Sequence, residues 1–270
     1  MKELKFNLRY LLNRKELYFS IIVIFFINLI HVILCVNESL RLGMFIENSY
    51  TSEYQFILYN AQIALNVLII IVFPTALSLI FADSSWSDKK NKTINLLYTR
   101  LNYKKNIIVR LCLAVIVSFI ISFVGFLLNY FLLKIIYGSG NNLTHFQSLA
   151  FSLTTESSWF LDDLRVSNQV VFAFVINCTV SLLLGLLSGL SYLSSFFIRK
   201  RIIIYFVPLT FLIMTDLLLP KIGIEGISFI TMLQPFSVFT ISEYVTGLVV
   251  LFCIILLLLF FSLKKRDVLV

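Results

Sequence analysis

The sequence predicts an all-α integral membrane protein with six transmembrane helices, and its composition is the first reason. Hydrophobic residues make up 59% of the 270 residues and charged residues only 13%, whereas a soluble domain is about 25% charged. Mean hydropathy is +0.95. Glycine and proline are few, which favours long helices over the alternating strands of a membrane barrel. This composition argues against a cytosolic enzyme, a nucleic-acid-binding protein and a secreted disulfide-stabilised domain.

The second reason is that six apolar stretches are long enough to cross a hydrocarbon core of ~30 Å, which takes about 20 helical residues. Residues 1–270 are therefore predicted to form a single transmembrane domain. The fifth stretch is the shortest and contains Pro208 and Asp216. The predicted spans are residues 17–36, 56–82, 111–133, 170–198, 202–219 and 244–263.

The third reason is the distribution of basic residues. In a six-span layout the N-terminus, the second and fourth loops and the C-terminus share one side, which carries eighteen Lys and Arg residues, against four on the other. Cytoplasmic segments are the ones enriched in Lys and Arg. The sequence therefore predicts a multi-pass protein of the cell membrane with both termini in the cytoplasm. Contacts with anionic membrane lipid explain the net charge of +8 without a nucleic-acid partner.

The chain before the first span predicts an amphipathic helix at residues 1–16. Leu4, Leu8, Leu11 and Leu12 recur at helical spacing, with basic residues between them. Such a helix lies in the membrane interface. The alternative is a plain extension of the first span, which the density of charge disfavours.

Between the fifth and sixth predicted spans, residues 220–243 predict short helices on the outer face. Residues 227–233 are apolar but too few to cross, and Pro235 interrupts the segment. A re-entrant or interface-lying pair of short helices fits this pattern.

The sequence carries no recognisable catalytic or metal-binding motif. The four cysteines lie far apart, the two histidines lack the spacing of metal ligands, and no Walker A motif or nucleophile elbow is present. We therefore expect no metal site, no catalytic residues and no ATPase activity in this chain.

The second cytoplasmic loop contains a short amphipathic pattern. Ile94, Leu97 and Leu101 fall at helical spacing, Leu96 is adjacent, and the Thr93 hydroxyl can cap a helix there. Two interpretations remain open from these residues alone, a solvated loop lying on lipid and a helix that docks a cytoplasmic partner.

This layout resembles the permease subunit of type-2 ABC exporters, which has an interfacial N-terminal helix, six spans and short outer helices before the last span. The loop resembles that family's coupling-helix stretch, with Lys92 where Gly is usual and Asp88 in place of the common Glu. The matching stretch is Asp88-Lys-Lys-Asn-Lys-Thr93-Ile94-Asn-Leu96-Leu97-Tyr-Thr99.

The resemblance implies partners and cofactors. A cytoplasmic ATPase subunit would bind ATP and Mg, so that this chain binds no cofactor, and a second permease chain, identical or different, would complete the pathway. The matched contact residues are Asp88, Thr93, Ile94, Leu96, Leu97 and Thr99. On the same helix Leu101 extends the apolar face, and Lys89, Lys90 and Arg100 are expected to meet an acidic rim.

Polar residues form a stripe in the second predicted span. Gln55, Tyr59, Gln62 and Asn66 fall on one helical face. Because amides are costly in hydrocarbon unless paired, this face is interpreted as part of a translocation path or a subunit interface.

Two other spans carry smaller patterns. Asn28 and His31 lie on one face of the first span, where interhelical hydrogen bonding is favoured over a translocation path. In the fourth span Ser181, Gly185 and Gly189 recur at every fourth position, which indicates close helix packing.

These patterns predict the permease subunit of an ATP-driven exporter that moves an amphipathic peptide, antibiotic or lipid-like substrate outward. The spans offer few fixed charges to bind an ion. The alternative is a non-transporting sensor or scaffold subunit of a membrane complex. A membrane enzyme is disfavoured because no catalytic set is recognisable.

Overall fold

The computed structural model describes residues 2–41, 63–90, 102–137, 164, 168–222, 227–233 and 240–264. Within these ranges the chain is helical and contains no strand. The helices are α1 (Lys2–Leu12), α2 (Lys15–Arg41), α3 (Ile63–Ser78), α4 (Ser84–Lys90), α5 (Tyr103–Tyr137), α6 (Gln169–Ser194), α7 (Arg201–Leu218), α8 (Phe229–Met232) and α9 (Ile241–Lys264).

Five of these helices, α2, α5, α6, α7 and α9, are long and apolar enough to cross a membrane. The predicted all-helical class, with membrane-spanning character, is confirmed at this level. At the second predicted span the structure gives the 16 residues of α3, which contain Pro74. Residues 56–62 lie outside the described ranges, and the six-span layout stays a prediction.

Hydrogen bonds between the helices define their directions. Ser20, near the start of α2, donates to the carbonyl of Ala76 near the end of α3 at 2.6 Å. Ser191, near the end of α6, donates to the carbonyl of Ile204 near the start of α7 at 2.6 Å. Both pairs are therefore antiparallel. Helices α2 and α5 run parallel, because Asn129 of α5 donates to the carbonyl of Asn28 at 2.8 Å while α1 meets the start of α5.

The beginnings of α2, α5 and α7 and the ends of α3 and α6 consequently lie at one end of the helices. We call this the basic end, because it is the end at which Arg14, Arg110 and Arg201 lie. It corresponds to the side that the charge distribution predicts to be cytoplasmic.

The small residues of the fourth predicted span lie against α5 of the same chain. A Cβ atom added at Gly185 would come within 2.8 Å of the Val115 carbonyl oxygen, and one at Gly189 within 2.8 Å of the Val115 Cγ2 atom. Ser181 is fully buried on the same side of α6. This spacing therefore lets two helices of one chain approach closely.

Large apolar side chains are exposed along the outside of the helices. On α9 the exposed residues include Val245, Val249, Phe252 and Phe260, each more than half exposed. In a soluble protein, contiguous apolar surface of this kind would be unusual. Contact with lipid explains it.

Helix α1 is separate from α2. Backbone hydrogen bonds at Asn13 and Arg14 close a turn after Leu12, so the first span is not simply extended at its N-terminus. Leu4 and Leu8 are exposed, whereas Leu11 is buried against the rest of the chain. Its position in a membrane interface stays a prediction.

At the opposite end, α8 packs between α7 and α9. The Phe229 ring lies 5.3 Å from the Phe211 ring, and a Cβ at Gly247 would meet the Met232 methyl group at 2.6 Å. The Ser228 hydroxyl donates to the Asp216 carboxylate, which ties this segment to α7. A 3₁₀ turn at Pro220–Ile222 precedes it. The predicted short helices are thus present in part, and their re-entrant character stays a prediction.

The orientation can be tested with single cysteines. In a chain whose four native cysteines are replaced by alanine, a Lys221→Cys probe should react with a membrane-impermeant maleimide added outside intact cells. A Lys104→Cys probe should react only after the cells are opened. Both side chains are exposed, at opposite ends of the helices. Reaction of Lys104→Cys from outside would reverse the predicted orientation.

Candidate functional site

The basic end contains a group of interacting charged side chains, which we call the charged junction. It joins α1, the α1–α2 turn, the α3–α4 connection, α4, α5 and α7. Its members are three arginines and three carboxylates, so it is formally neutral: Arg14, Glu16, Asp83, Asp88, Arg110 and Arg201.

Asp83 is the centre of the first half of the junction. This carboxylate is only 2% exposed, and it accepts a hydrogen bond from Arg14. It also forms an ion pair with Arg201, whose Nε atom lies 2.8 Å away and donates to the Tyr205 hydroxyl. Glu16 pairs with the same two guanidinium groups, at 2.8 Å from Arg201 and 3.5 Å from Arg14. Two arginines and two carboxylates therefore connect the start of α2, the end of α3 and the start of α7.

Asp88 and Arg110 form the second half. The Arg110 guanidinium, 3% exposed, donates to the Asp88 carboxylate, and its Nε atom donates to Asn7 Oδ1 at 2.8 Å. Asn7 in turn donates to Asn106 Oδ1 at 2.7 Å. Helix α4 is thus tied to α5, and α5 is tied to α1.

The Tyr10 ring lies between the two halves. The guanidinium carbon of Arg14 lies 5.6 Å from the ring centroid and that of Arg110 lies 5.4 Å from it, which is within cation–π range. Burial raises the pKa of Tyr10, so this ring stays neutral. The Nη1 atom of Arg14 and the Nη2 atom of Arg110 are buried with no acceptor in the described part of the chain.

Neighbouring groups hold Arg14 in its charged form. Burial alone would lower the pKa of Arg14, but Asp83, Tyr10 and Glu16 together raise it above its ordinary value. Removing one partner of a buried ion pair leaves the other charge unpaired, which costs about 3–5 kcal/mol. The arrangement is suited to fixing several segments in one relative position, since every charge here has an opposite charge in contact.

Parts of the predicted ATPase-binding stretch lie in or beside this junction. Asp88 is directed into the chain, where it pairs with Arg110. Lys90 lies over the Trp86 ring, 5.1 Å from its centroid. Lys89 belongs to α4, and its side chain is not described. The remaining predicted contacts, which lie outside the described residues, are Thr93, Ile94, Leu96, Leu97, Thr99, Arg100 and Leu101.

Asn28 and His31 are fully buried within this chain. Asn129 of α5 approaches the His31 Nδ1 atom at 2.9 Å as well as bonding the Asn28 carbonyl, and Cys35 lies 3.2 Å from the His31 Nε2 atom. These contacts join α2 to α5. The two contacts of Asn129 are hydrogen bonds between α2 and α5, and whether Asn28 and His31 also belong to a translocation path or subunit interface stays a prediction.

The polar stripe of the second predicted span falls largely outside the described residues. This is the case for Gln55, Tyr59 and Gln62, while Asn66 lies in α3 with its side chain undescribed. Its interpretation as a path or interface stays a prediction.

Sequence reasoning missed the charged junction. It counted Arg14, Arg110 and Arg201 as cations that face lipid headgroups, and it gave Asp83 no role. A signal was present, because Glu16, Asp83 and Asp88 are carboxylates placed next to apolar spans on the basic side. Apart from the neighbouring Arg14–Glu16 pair, their partners lie 22 to 185 residues away in the chain, so spacing alone could not pair them.

No family model, curated protein or solved structure matches this chain. The described residues define its class through their own architecture. They form a helical protein with five helices of membrane-spanning length and apolar character, of which α2, α5 and α7 contribute to a partly buried ionic network at one end.

Proposed function

We propose that this chain is the transmembrane permease subunit of an ATP-driven exporter. A separate cytoplasmic ATPase subunit would supply the energy, and a second permease chain would complete the pathway. An amphipathic peptide, an antibiotic or a lipid-like molecule is the proposed substrate class. The proposal rests on the layout of the sequence and on one structural observation, the anchoring of α4.

Helix α4 leads directly into residues 91–101, the predicted coupling segment, and it is held at several points. Asp88 pairs with Arg110 of α5, and Ser85 shares a hydrogen bond with Ser195 at the end of α6. The Trp86 indole donates to the carbonyl of Arg199 at 2.8 Å. A force that reaches α4 from the coupling segment would therefore be transmitted through these contacts to α5, α6 and α7.

This anchoring is what an exporter permease requires. Closure of the ATPase has to move spans relative to one another, and a rigid connection transmits that movement. The junction's neutrality also fits this role, because a balanced buried network can shift with the helices it joins without exposing an unpaired charge.

The test is to purify the chain from its own cells in mild detergent and identify what accompanies it. A nucleotide-binding subunit in stoichiometric amount, with ATP hydrolysis that a transported substrate stimulates, is the expected result. A stable complex that contains no nucleotide-binding subunit would overturn the proposal and favour the sensor or scaffold alternative.

A further inference from the structure

An open groove of about 570 Å³ lies at the basic end, between α4 and the connection from α6 to α7. Trp86 and Lys90 form one wall, and Phe196, Phe197 and Arg199 form the other. The Trp86 to Arg199 hydrogen bond described above joins the two walls. One surface therefore combines two cations with three aromatic rings.

The cations of this groove differ from those of the charged junction. Arg14, Arg110 and Arg201 each pair with carboxylates, whereas Lys90 and Arg199 are exposed and have no carboxylate partner among the described residues. Lys200, beside Arg199, is also exposed. Among the described residues, the groove thus carries positive charge without a carboxylate partner and is complementary to an anion.

The position of the groove indicates what kind of anion. The candidate spans end at Ser194 and begin again at Arg201, so the intervening residues lie level with the ends of spans, where headgroups meet hydrocarbon. Phe197 is 42% exposed, and the first turns of α7 expose Ile202, Ile203 and Phe206. Apolar surface suited to acyl chains therefore adjoins the cations, and Trp is typical of this depth.

We propose that this groove is a binding site for an anionic phospholipid. Lys90 and Arg199 contact the phosphate, Trp86 lies at the level of the glycerol backbone, and the acyl chains follow Phe197 onto the exposed face of α7. The assignment is independent of the ATPase partner, since it depends only on the groove and on membrane embedding.

The test measures quenching of the intrinsic fluorescence of Trp86, which lines the groove. The chain has two tryptophans, so Trp159→Phe leaves Trp86 alone. The full chain is reconstituted in phosphatidylcholine vesicles with a minor fraction of brominated phosphatidylglycerol or brominated phosphatidylcholine, and quenching of Trp86 gives the relative affinity. We expect stronger quenching by brominated phosphatidylglycerol, with a preference that weakens as salt is added.

Lys90→Gln with Arg199→Gln should reduce that preference about fivefold for each cation removed, which corresponds to ~1 kcal/mol per basic residue at an anionic surface. The matched control is Lys104→Gln with Lys105→Gln, which removes two exposed cations of the basic end outside the groove. The control should keep the preference within about twofold, because these residues do not line the groove.

Equal quenching by the two brominated lipids, or an equal loss in the control pair, would overturn the site. Displacement of brominated phosphatidylglycerol by soluble glycerol phosphate would show that the groove takes a free phosphate instead of a lipid. Loss of the ATPase subunit in the Lys90 and Arg199 variant, with the lipid preference intact, would identify a protein-docking surface and also contradict the proposal.

Discussion

Asp83→Ala is expected to lower the free energy of unfolding by about 3–5 kcal/mol, the cost of leaving one charge of a buried pair without its partner. Arg14 is only 8% exposed; it would lose its closest carboxylate and keep only Glu16, at 3.5 Å. Arg201 would retain Glu16, at 2.8 Å. Denaturation of the detergent-solubilised chain with increasing SDS, followed by circular dichroism, measures the change.

Two variants control this measurement. Lys221→Ala removes an exposed charge at the opposite end and should stay within about 0.5 kcal/mol of the unchanged chain. Arg14→Met combined with Asp83→Leu replaces the pair by apolar side chains, and it should be more stable than Asp83→Ala because no buried guanidinium is left unpaired. If Asp83→Ala proved as stable as the unchanged chain, water or lipid would have to solvate Arg14 in that variant.

Ile94→Asp with Leu97→Asp is expected to release the ATPase subunit while the chain stays in the membrane. Desolvating each of these side chains at an interface is worth about 1.5–3 kcal/mol. Losing both corresponds to a drop in affinity of more than about a hundredfold. The loss of affinity is measured by co-purification. The amount of ATPase subunit that accompanies the variant is divided by the amount of the variant chain in the membrane fraction.

The control is Lys89→Ala with Arg100→Ala, which removes two of the three predicted rim charges, leaves Lys90 in place and keeps the apolar face. Exposed ion pairs contribute only about 0–1 kcal/mol each, so this variant should retain most of the ATPase and lose affinity mainly at low salt. Retention of the ATPase and of full transport by the double Asp variant would show that residues 93–101 are not the coupling element.

The class of fold could be predicted because span length and apolarity are local properties. Four of the five candidate spans begin and end within a few residues of their predictions, as in the case of α9, predicted at 244–263 and found at Ile241–Lys264. Helix α5 is longer than predicted, since Tyr103–Tyr137 extends beyond the hydrocarbon-length stretch 111–133. The polar residues before Leu111 belong to the same helix, where Asn106 and Arg110 bond Asn7 of α1 and Arg110 also bonds Asp88 of α4.

The charged junction could not be predicted for a different reason. A basic residue at the end of a span looks the same in sequence whether it faces a headgroup or a carboxylate. Arg14 and Asp83 are 69 positions apart, and their contact depends on how α2 and α3 return to one end. By contrast, the spacing of Gly185 and Gly189 was enough to predict a closely packed helix face, because the residues on one face of a helix follow from its own sequence.

Helix α1 is synthesised before α5, so its contacts with α5 form only after both helices have been made. Asn7 bonds residues 99 and 103 positions further along, Asn106 and Arg110, and Tyr10 lies against Arg110 as well. None of these partners has been synthesised when the first span is inserted. Until α5 has been synthesised, α1 lacks these partners, and its exposed leucines, such as Leu4 and Leu8, remain its apolar surface. Helix α1 would therefore dock only once α5 is in place, and a chain that stops before Tyr103 would leave Asn7 without its two partners on α5.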